Sequence, residues 1–171
     1  IRHAKATTEF LEMVDRLRVP VLTSRRGADL VPDDHPYFFG RPGTYGQRSA
    51  NFVIQNCDLL ISIGSRLSIP LVGRNNGAFA RAARMIVVDI DPNELEKPTL
   101  KPDLPLAMDA GQFIRECLTL IPASFPSYSS WMELCREWRL KFPPDSYTGP
   151  SLPPDPPENG LIYPLSIFRS L

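Results

Sequence analysis

The sequence predicts an α/β protein, a doubly wound parallel sheet flanked by helices and followed by a helical, proline-rich extension. Three observations predict it. Two short apolar runs, Leu59–Ile63 and Met85–Ile90, each end in small or acidic residues, Gly64-Ser65-Arg66 and Asp89-Ile90-Asp91. Runs of this length bounded by loop chemistry fit strands buried on both faces, as in a parallel sheet under helices. Strand-like segments near 19–23, 59–63, 85–90 and 104–108 alternate with helical segments, the order expected of βαβ units. Eight of the 19 prolines crowd into PPDSYTGPSLPPDPPENGLIYP at 143–164, which sustains neither helix nor central strand.

Taken in order, the first segment places Phe10, Leu11, Val14 and Leu17 on one helical face. Thr7 or Thr8, ahead of Glu9, can cap this helix, or it can start from Ala4. Val19–Thr23 reads as a strand, with Pro20 in its first turn. A helix followed by a strand implies a βαβ unit whose first strand lies before Ile1. Residues 24–45 form a long loop of the kind that is often functional. It ends in Gly43-Thr44-Tyr45-Gly46 and runs into a helix, Ser49–Asn56, that buries Phe52 with Val53 and Ile54. Two readings of those glycines stand: backbone N–H groups open to an anion, or a tight turn.

After the first apolar run comes a loop with Pro70, Gly73 and Gly77, then a helical turn over 78–83. Pro92 suits a first helical turn and predicts a short helix to Leu95. Leu104–Met108 is the last strand, and Asp109 caps a helix over Ala110–Leu120 that Pro122 stops. Ser130 caps a second helix, Trp131–Phe142, with an apolar stripe of Trp131, Leu134, Trp138 and Phe142 that reads as packing. A final helix starts at Pro164, apolar enough that a further domain should cover it.

With 19 basic and 19 acidic residues the formal net charge is zero, so neither a nucleic acid nor a membrane surface is implied as partner. No apolar run approaches the ~20 residues of a membrane span. Cys57, Cys117 and Cys135 are widely spaced without a CxxC pair; buried reduced thiols, with Cys57 and Cys117 inside helices, and a cytoplasmic location are expected. His3 and His35 alone do not make a metal site of ordinary ligand count.

The chemistry is expected at the strand ends. In open parallel sheets ligands bind outside the carboxyl ends of the strands. In the Gly64-Ser65-Arg66 turn, Gly64 admits close backbone approach and Arg66 pairs with phosphate, while Asp89 accepts from ribose or adenine. Asp91-Pro92-Asn93-Glu94 reads equally as a helix cap or a ligand contact. There is no GxGxxG after any strand, no Walker A motif and no GxSxG elbow. Neither histidine has a recognisable partner, and no carboxylate pair is set for acid–base work.

Several stretches in one order carry a resemblance: Gly43-Thr44-Tyr45-Gly46, Ser49-Ala50-Asn51-Phe52, Gln55-Asn56-Cys57-Asp58-Leu59, Gly64-Ser65-Arg66, Phe79-Ala80-Arg81-Ala82-Ala83, and Val88 through Leu95 to Lys97. Over about 4–121 they resemble the central domain of thiamine-diphosphate-dependent enzymes, most nearly the large subunit of acetolactate synthase. The resemblance implies a Rossmann-like fold that holds FAD or ADP in some members and nothing in others. The family's cofactor contacts would fall here on Thr23, Ser24, Gly43, Thr44, Gly64, Ser65, Arg66, Asp89, Ile90 and Asp109. Where acetolactate synthases carry two aspartates and an arginine, Leu67-Ser68-Ile69-Pro70 stands, so an arginine expected near a flavin diphosphate is missing.

The resemblance also implies three parts: a central domain at 1–122, a helix and proline-rich linker at 123–160, and at 161–171 the start of a truncated C-terminal domain. Thiamine diphosphate and Mg2+ would be bound in the parent enzyme by N- and C-terminal domains of the same protein, assembled as a homo-oligomer, dimer or tetramer. The glutamate that activates the thiazolium and the metal-diphosphate motif belong to those domains, so this chain has no catalytic residues for the reaction. Two other readings are a free-standing NAD- or nucleotide-binding module, related in fold to sirtuin-like domains, and a structural domain with an empty groove.

Overall fold

The computed structural model describes residues 1–122 and 125–143. The proline-rich stretch beyond 143 and the helix expected from Pro164 lie outside the described residues.

Three strands form one parallel sheet in the order β1 (Leu59–Ile63), β2 (Arg84–Asp89), β3 (Leu104–Ala107). Leu59 pairs with Arg84 and Ile63 with Val88; Ile86 pairs with Leu104 and Asp89 with Ala107. Helices cover both faces, as a doubly wound sheet requires. On one face α1 (Thr7–Leu17) packs with α5 (Ala110–Leu120), and Phe10, Met13, Val14 and Ile114 are buried between them. On the other, Ile54 of α2 (Arg48–Asn56), Val72 of α3 (Ile69–Val72), Phe79, Met85 and Val87 make a second core. A third cluster joins α2 to α6 (Ser129–Lys141) through Phe39, Val53, Met132 and Cys135.

Several expectations are corrected. Val19–Thr23 is not a strand of this sheet. Only Val21 forms a bridge, parallel, to Phe38 in the long loop, because Val21 and Thr23 donate to Tyr37 O and Gly40 O while Pro20 has no N–H to give. The apolar run of β1 is not buried on both faces: Leu59 and Ile61 are 49% and 41% exposed. Neither Thr7 nor Thr8 caps α1; Ala6 precedes it without a side-chain cap, and Lys5 N–H closes a turn onto Arg2 O. In α6 the buried stripe is shifted from the expected one. Met132 and Cys135 point inward, Leu134 is exposed, and the helix begins after Tyr128 rather than at a Ser130 cap. Met132 and Cys135 are drawn in by Phe39 and by Val53 of α2, while Trp138 and Phe142 of the expected stripe meet the half-buried Phe52 ring at 5.8 and 5.3 Å. Cys57 sits just past α2, donating its thiol to Ile54 O, not within the helix.

Candidate functional site

The turn after β1 and the short helix after β2 meet at the carboxyl edge of the sheet. Gly64 takes the left-handed conformation, φ +57°, which ends β1 while its N–H still donates to Val88 O at 2.8 Å. Ser65 and Arg66 then swing over the end of β2. Beyond β2, Asp89 Oδ1 accepts the N–H of Asp91 at 3.1 Å, and Asp91 Oδ1 accepts that of Asn93 at 3.0 Å. Asp91 therefore caps α4 (Pro92–Leu95), whose Pro92 needs no donor at this position. Of the two readings of this motif, the cap is the one the geometry displays.

The helix start aims Glu94 back across the edge. Arg66 Nε lies 3.2 Å from Glu94 Oε1, and Lys97, three residues further on, ion-pairs with Glu94 Oε2. Lys97 Nζ also donates to Arg66 O. Ser65, Arg66, Asp89, Glu94, Lys97 and Leu100 line one cleft here. Its enclosed part measures about 10 Å³, room for about one water. The chain's own carboxylate answers both cations that a phosphate would need.

Among the described residues no group of three or more His, Cys, Asp or Glu side chains could hold a metal ion. No helix among them is long and apolar enough to cross a membrane. His35 Nε2 lies 3.4 Å from Asp15 Oδ1, and its Nδ1 accepts the N–H of Tyr37 at 3.3 Å.

Against this geometry the comparisons with known proteins are direct. Residues 1–117 match the family model for the central domain of thiamine pyrophosphate enzymes. The chain belongs to that family. It is 36% identical over 136 residues to the acetolactate synthase large subunit of Pyropia yezoensis, covering 77% of this chain and 23% of that protein. It is 35% identical over 137 residues to a probable acetolactate synthase large subunit of Methanocaldococcus jannaschii, covering 80% and 22%. Isozyme 2 of Escherichia coli is 37% identical over 94 residues, 55% and 17%. The chain thus spans less than a quarter of the length of these relatives.

In this thiamine pyrophosphate enzyme central domain, the ten residues marked from sequence divide into groups. Ser65, Arg66 and Asp89 line the cleft, Gly64 precedes it at the end of β1, and Ile90, next after Asp89, is exposed. Asp109 lies close by. Its Oδ1 accepts from Gly111 N and Gln112 N at 2.9 and 3.0 Å, which caps α5, and Ala110 packs near Gly64. Gly43 and Thr44 are held apart from the cleft. Asn51 clasps Gly43 N and O at 2.8 and 3.0 Å, and Thr44 N–H donates to Pro70 O. A Cβ on Gly43 would stand 2.6 Å from that same Pro70 oxygen, so a tight turn accounts for the glycine. Thr23, buried, and Ser24 sit beside the Val21 bridge.

Sequence reasoning named Glu94 only within the Asp91–Glu94 motif, as helix cap or ligand contact, and passed over Lys97 as its partner. The signal was present in their spacing, three apart after a helix-starting proline, which puts both on one side of a single turn. It also missed Arg139 of α6, which donates to Phe38 O at 2.7 Å and Asp33 O at 2.9 Å and so fastens the long loop.

Proposed function

We propose that this chain is the middle part of a longer acetolactate synthase-like enzyme and serves there as a structural spacer, without catalytic residues of its own. The thiamine diphosphate of such an enzyme supplies the carbanion chemistry by which a 2-oxo acid loses CO2 and is joined to an acceptor. N- and C-terminal domains would hold that cofactor with Mg2+, in a homo-oligomer in the cytoplasm. The observation that carries the spacer role is the Arg66–Glu94–Lys97 cluster, which fills the nucleotide edge with protein charges.

A second reading, in which the edge takes ADP or the adenine half of FAD, is favoured by Arg66, whose side chain is 78% exposed. A surface ion pair is worth only about 0–1 kcal/mol, so releasing Arg66 costs little. Calorimetric titration of the chain with FAD, ADP and NAD separates the readings. The spacer role expects no binding of any of them. Binding of ADP or FAD establishes the second reading, and binding of NAD alone points to a nucleotide module of another kind.

A further inference from the structure

Beside α6 lies a second, roomier cavity. It encloses about 80 Å³ and is lined by Asp33, Phe39, Gly40, Gln47, Ser49 and Arg139. These belong to the long loop, the start of α2 and the last turn of α6. The space takes several waters. It shares no lining residue with the cleft of Arg66 and Glu94 at the sheet edge.

Three kinds of donor meet there. Arg139 spends Nη1 and Nη2 on two main-chain acceptors, Phe38 O at 2.7 Å and Asp33 O at 2.9 Å. Other N–H groups of the guanidinium remain, and no carboxylate answers its charge among the described residues. The acid of the lining, Asp33, is already held through Oδ1 by Arg41 Nη2 at 2.7 Å. Ser49 is only 3% exposed, yet its hydroxyl has no hydrogen-bond partner among the described residues. A buried hydroxyl without a partner is costly, so one in a cavity wall points to something the cavity holds.

The third donor set is the first turn of α2. Asn51 N–H, on Gln47 O at 3.1 Å, is the first amide of the helix with a main-chain acceptor, which leaves those of Arg48, Ser49 and Ala50 open. A side chain before a helix commonly caps such amides. Gln47 does not, because its Oε1 turns back to accept the N–H of Arg41 at 2.8 Å. Gly40, at φ +104°, permits that turn, since a Cβ there would run into the Gln47 carboxamide.

We propose that this cavity binds a small oxyanion, of phosphate or carboxylate type, between the Arg139 guanidinium, the Ser49 hydroxyl and the first-turn amides of α2. A guanidinium fork and an open helix start both favour an anion, through charge-assisted hydrogen bonds. The size of the space restricts the ligand to a bare anion or the anionic end of a small molecule. Seated there, it bridges the long loop, α2 and α6. The site is separate from the spacer role, and neither outcome of its test bears on that role.

Amide chemical shifts read the site directly. The nitrogen-labelled chain is titrated with sodium phosphate and, separately, with sodium acetate, sodium chloride holding the ionic strength constant. Saturable shifts at Arg48, Ser49 and Ala50 with either salt are the expected result, and the salt that acts tells which type of oxyanion is taken. Ser49→Ala, a change that a helix tolerates, should weaken the affinity about tenfold. Arg139→Gln should weaken it further; if loss of the loop contacts unfolds that variant, Ser49→Ala decides alone. Asp33→Asn, which removes the like charge from the lining, should tighten binding, and Arg66→Ala should leave it unchanged. Absence of saturable shifts with both salts overturns the proposal. So does an affinity untouched by Ser49→Ala but lost in Arg66→Ala, which would place the anion at the sheet edge.

Discussion

Arg66 Nε lies 3.2 Å from Glu94 Oε1, and that contact joins the turn after β1 to the helix after β2 across the edge where a nucleotide would sit. With Lys97 on its other oxygen, Glu94 is the anion of the cleft. Glu94→Gln removes that anion and leaves both cations facing open space. ADP affinity, measured by calorimetry, is expected to rise at least about tenfold, the equivalent of 1.4 kcal/mol. Stability should fall by about 1–3 kcal/mol, because the Glu94 and Lys97 side chains are only 17% and 23% exposed and the variant leaves Lys97 without its anion. Arg66→Ala in the Glu94→Gln background should then erase the gain. An ADP affinity indifferent to Glu94 removes the account of why the cleft is closed.

Asp109 is placed in the cofactor set by resemblance, yet its carboxylate is committed to the first turn of α5. Asp109→Ala is expected to cost about 1 kcal/mol, the usual loss for an N-cap. It should lower the urea midpoint with the slope unchanged. Asp109→Asn or Ser should restore most of it. A loss confined to ligand affinity, with the midpoint intact, would return Asp109 to a binding role.

Gly43 and Gly64 both have positive φ but meet different surroundings. A Cβ on Gly64 would touch Ala110 Cβ at an ordinary 3.6 Å, whereas one on Gly43 would collide with Pro70 O at 2.6 Å. Gly64→Ala should cost about 1–2 kcal/mol, the left-handed backbone alone. Gly43→Ala should cost clearly more, because a carbonyl must also move. Urea unfolding of the two variants side by side gives the order, and the reverse order contradicts the tight-turn role of Gly43.

Burial pushes the thiol of Cys135 up to about 12, from 9.0, with the nearby Cys57 adding to the rise. A raised folded-state value means that the native state holds its proton longer than the unfolded chain. This contribution is complete below pH 9 and is lost as pH climbs from 9 towards 12, at a slope of up to about 1.4 kcal/mol per unit. Cys57 and Cys117, also raised by burial, add in the same direction. Thermal unfolding across pH 8 to 11 should show the fall, and Cys135→Ala should flatten it while lowering stability at pH 8. A pH-independent midpoint in the parent chain would contradict the buried thiol.

Much of the fold is legible in the sequence because short-range physics sets it. Leu59–Ile63 and the run after Arg84 are apolar stretches between breakers, and Pro92 and Asp109 start helices by rules that involve four residues at most. What was not legible is set by distant partners. Val19–Thr23 has strand composition, but a strand needs a neighbour, and its amides go to Tyr37 and Gly40 in the loop. The turn of α6 about its axis depends on Phe52 and Phe39 of other segments, so the stripe read from Trp131 and Leu134 missed the inward Met132 and Cys135. At the site, Gly64, Arg66 and Asp89 were found by their position at strand ends. Glu94 was legible only as part of a motif open to two readings, cap or ligand contact, because whether it caps, floats or fills the cleft depends on where the turn after β1 brings Arg66.

The central claim is that this domain spaces the parts of a larger enzyme and performs no chemistry alone. CO2 release from pyruvate, measured with saturating thiamine diphosphate and Mg2+, tests it most directly. The 171-residue chain should be inert and the full-length protein active. Turnover by the isolated chain, or none by the full-length protein with any 2-oxo acid supplied, would contradict the account.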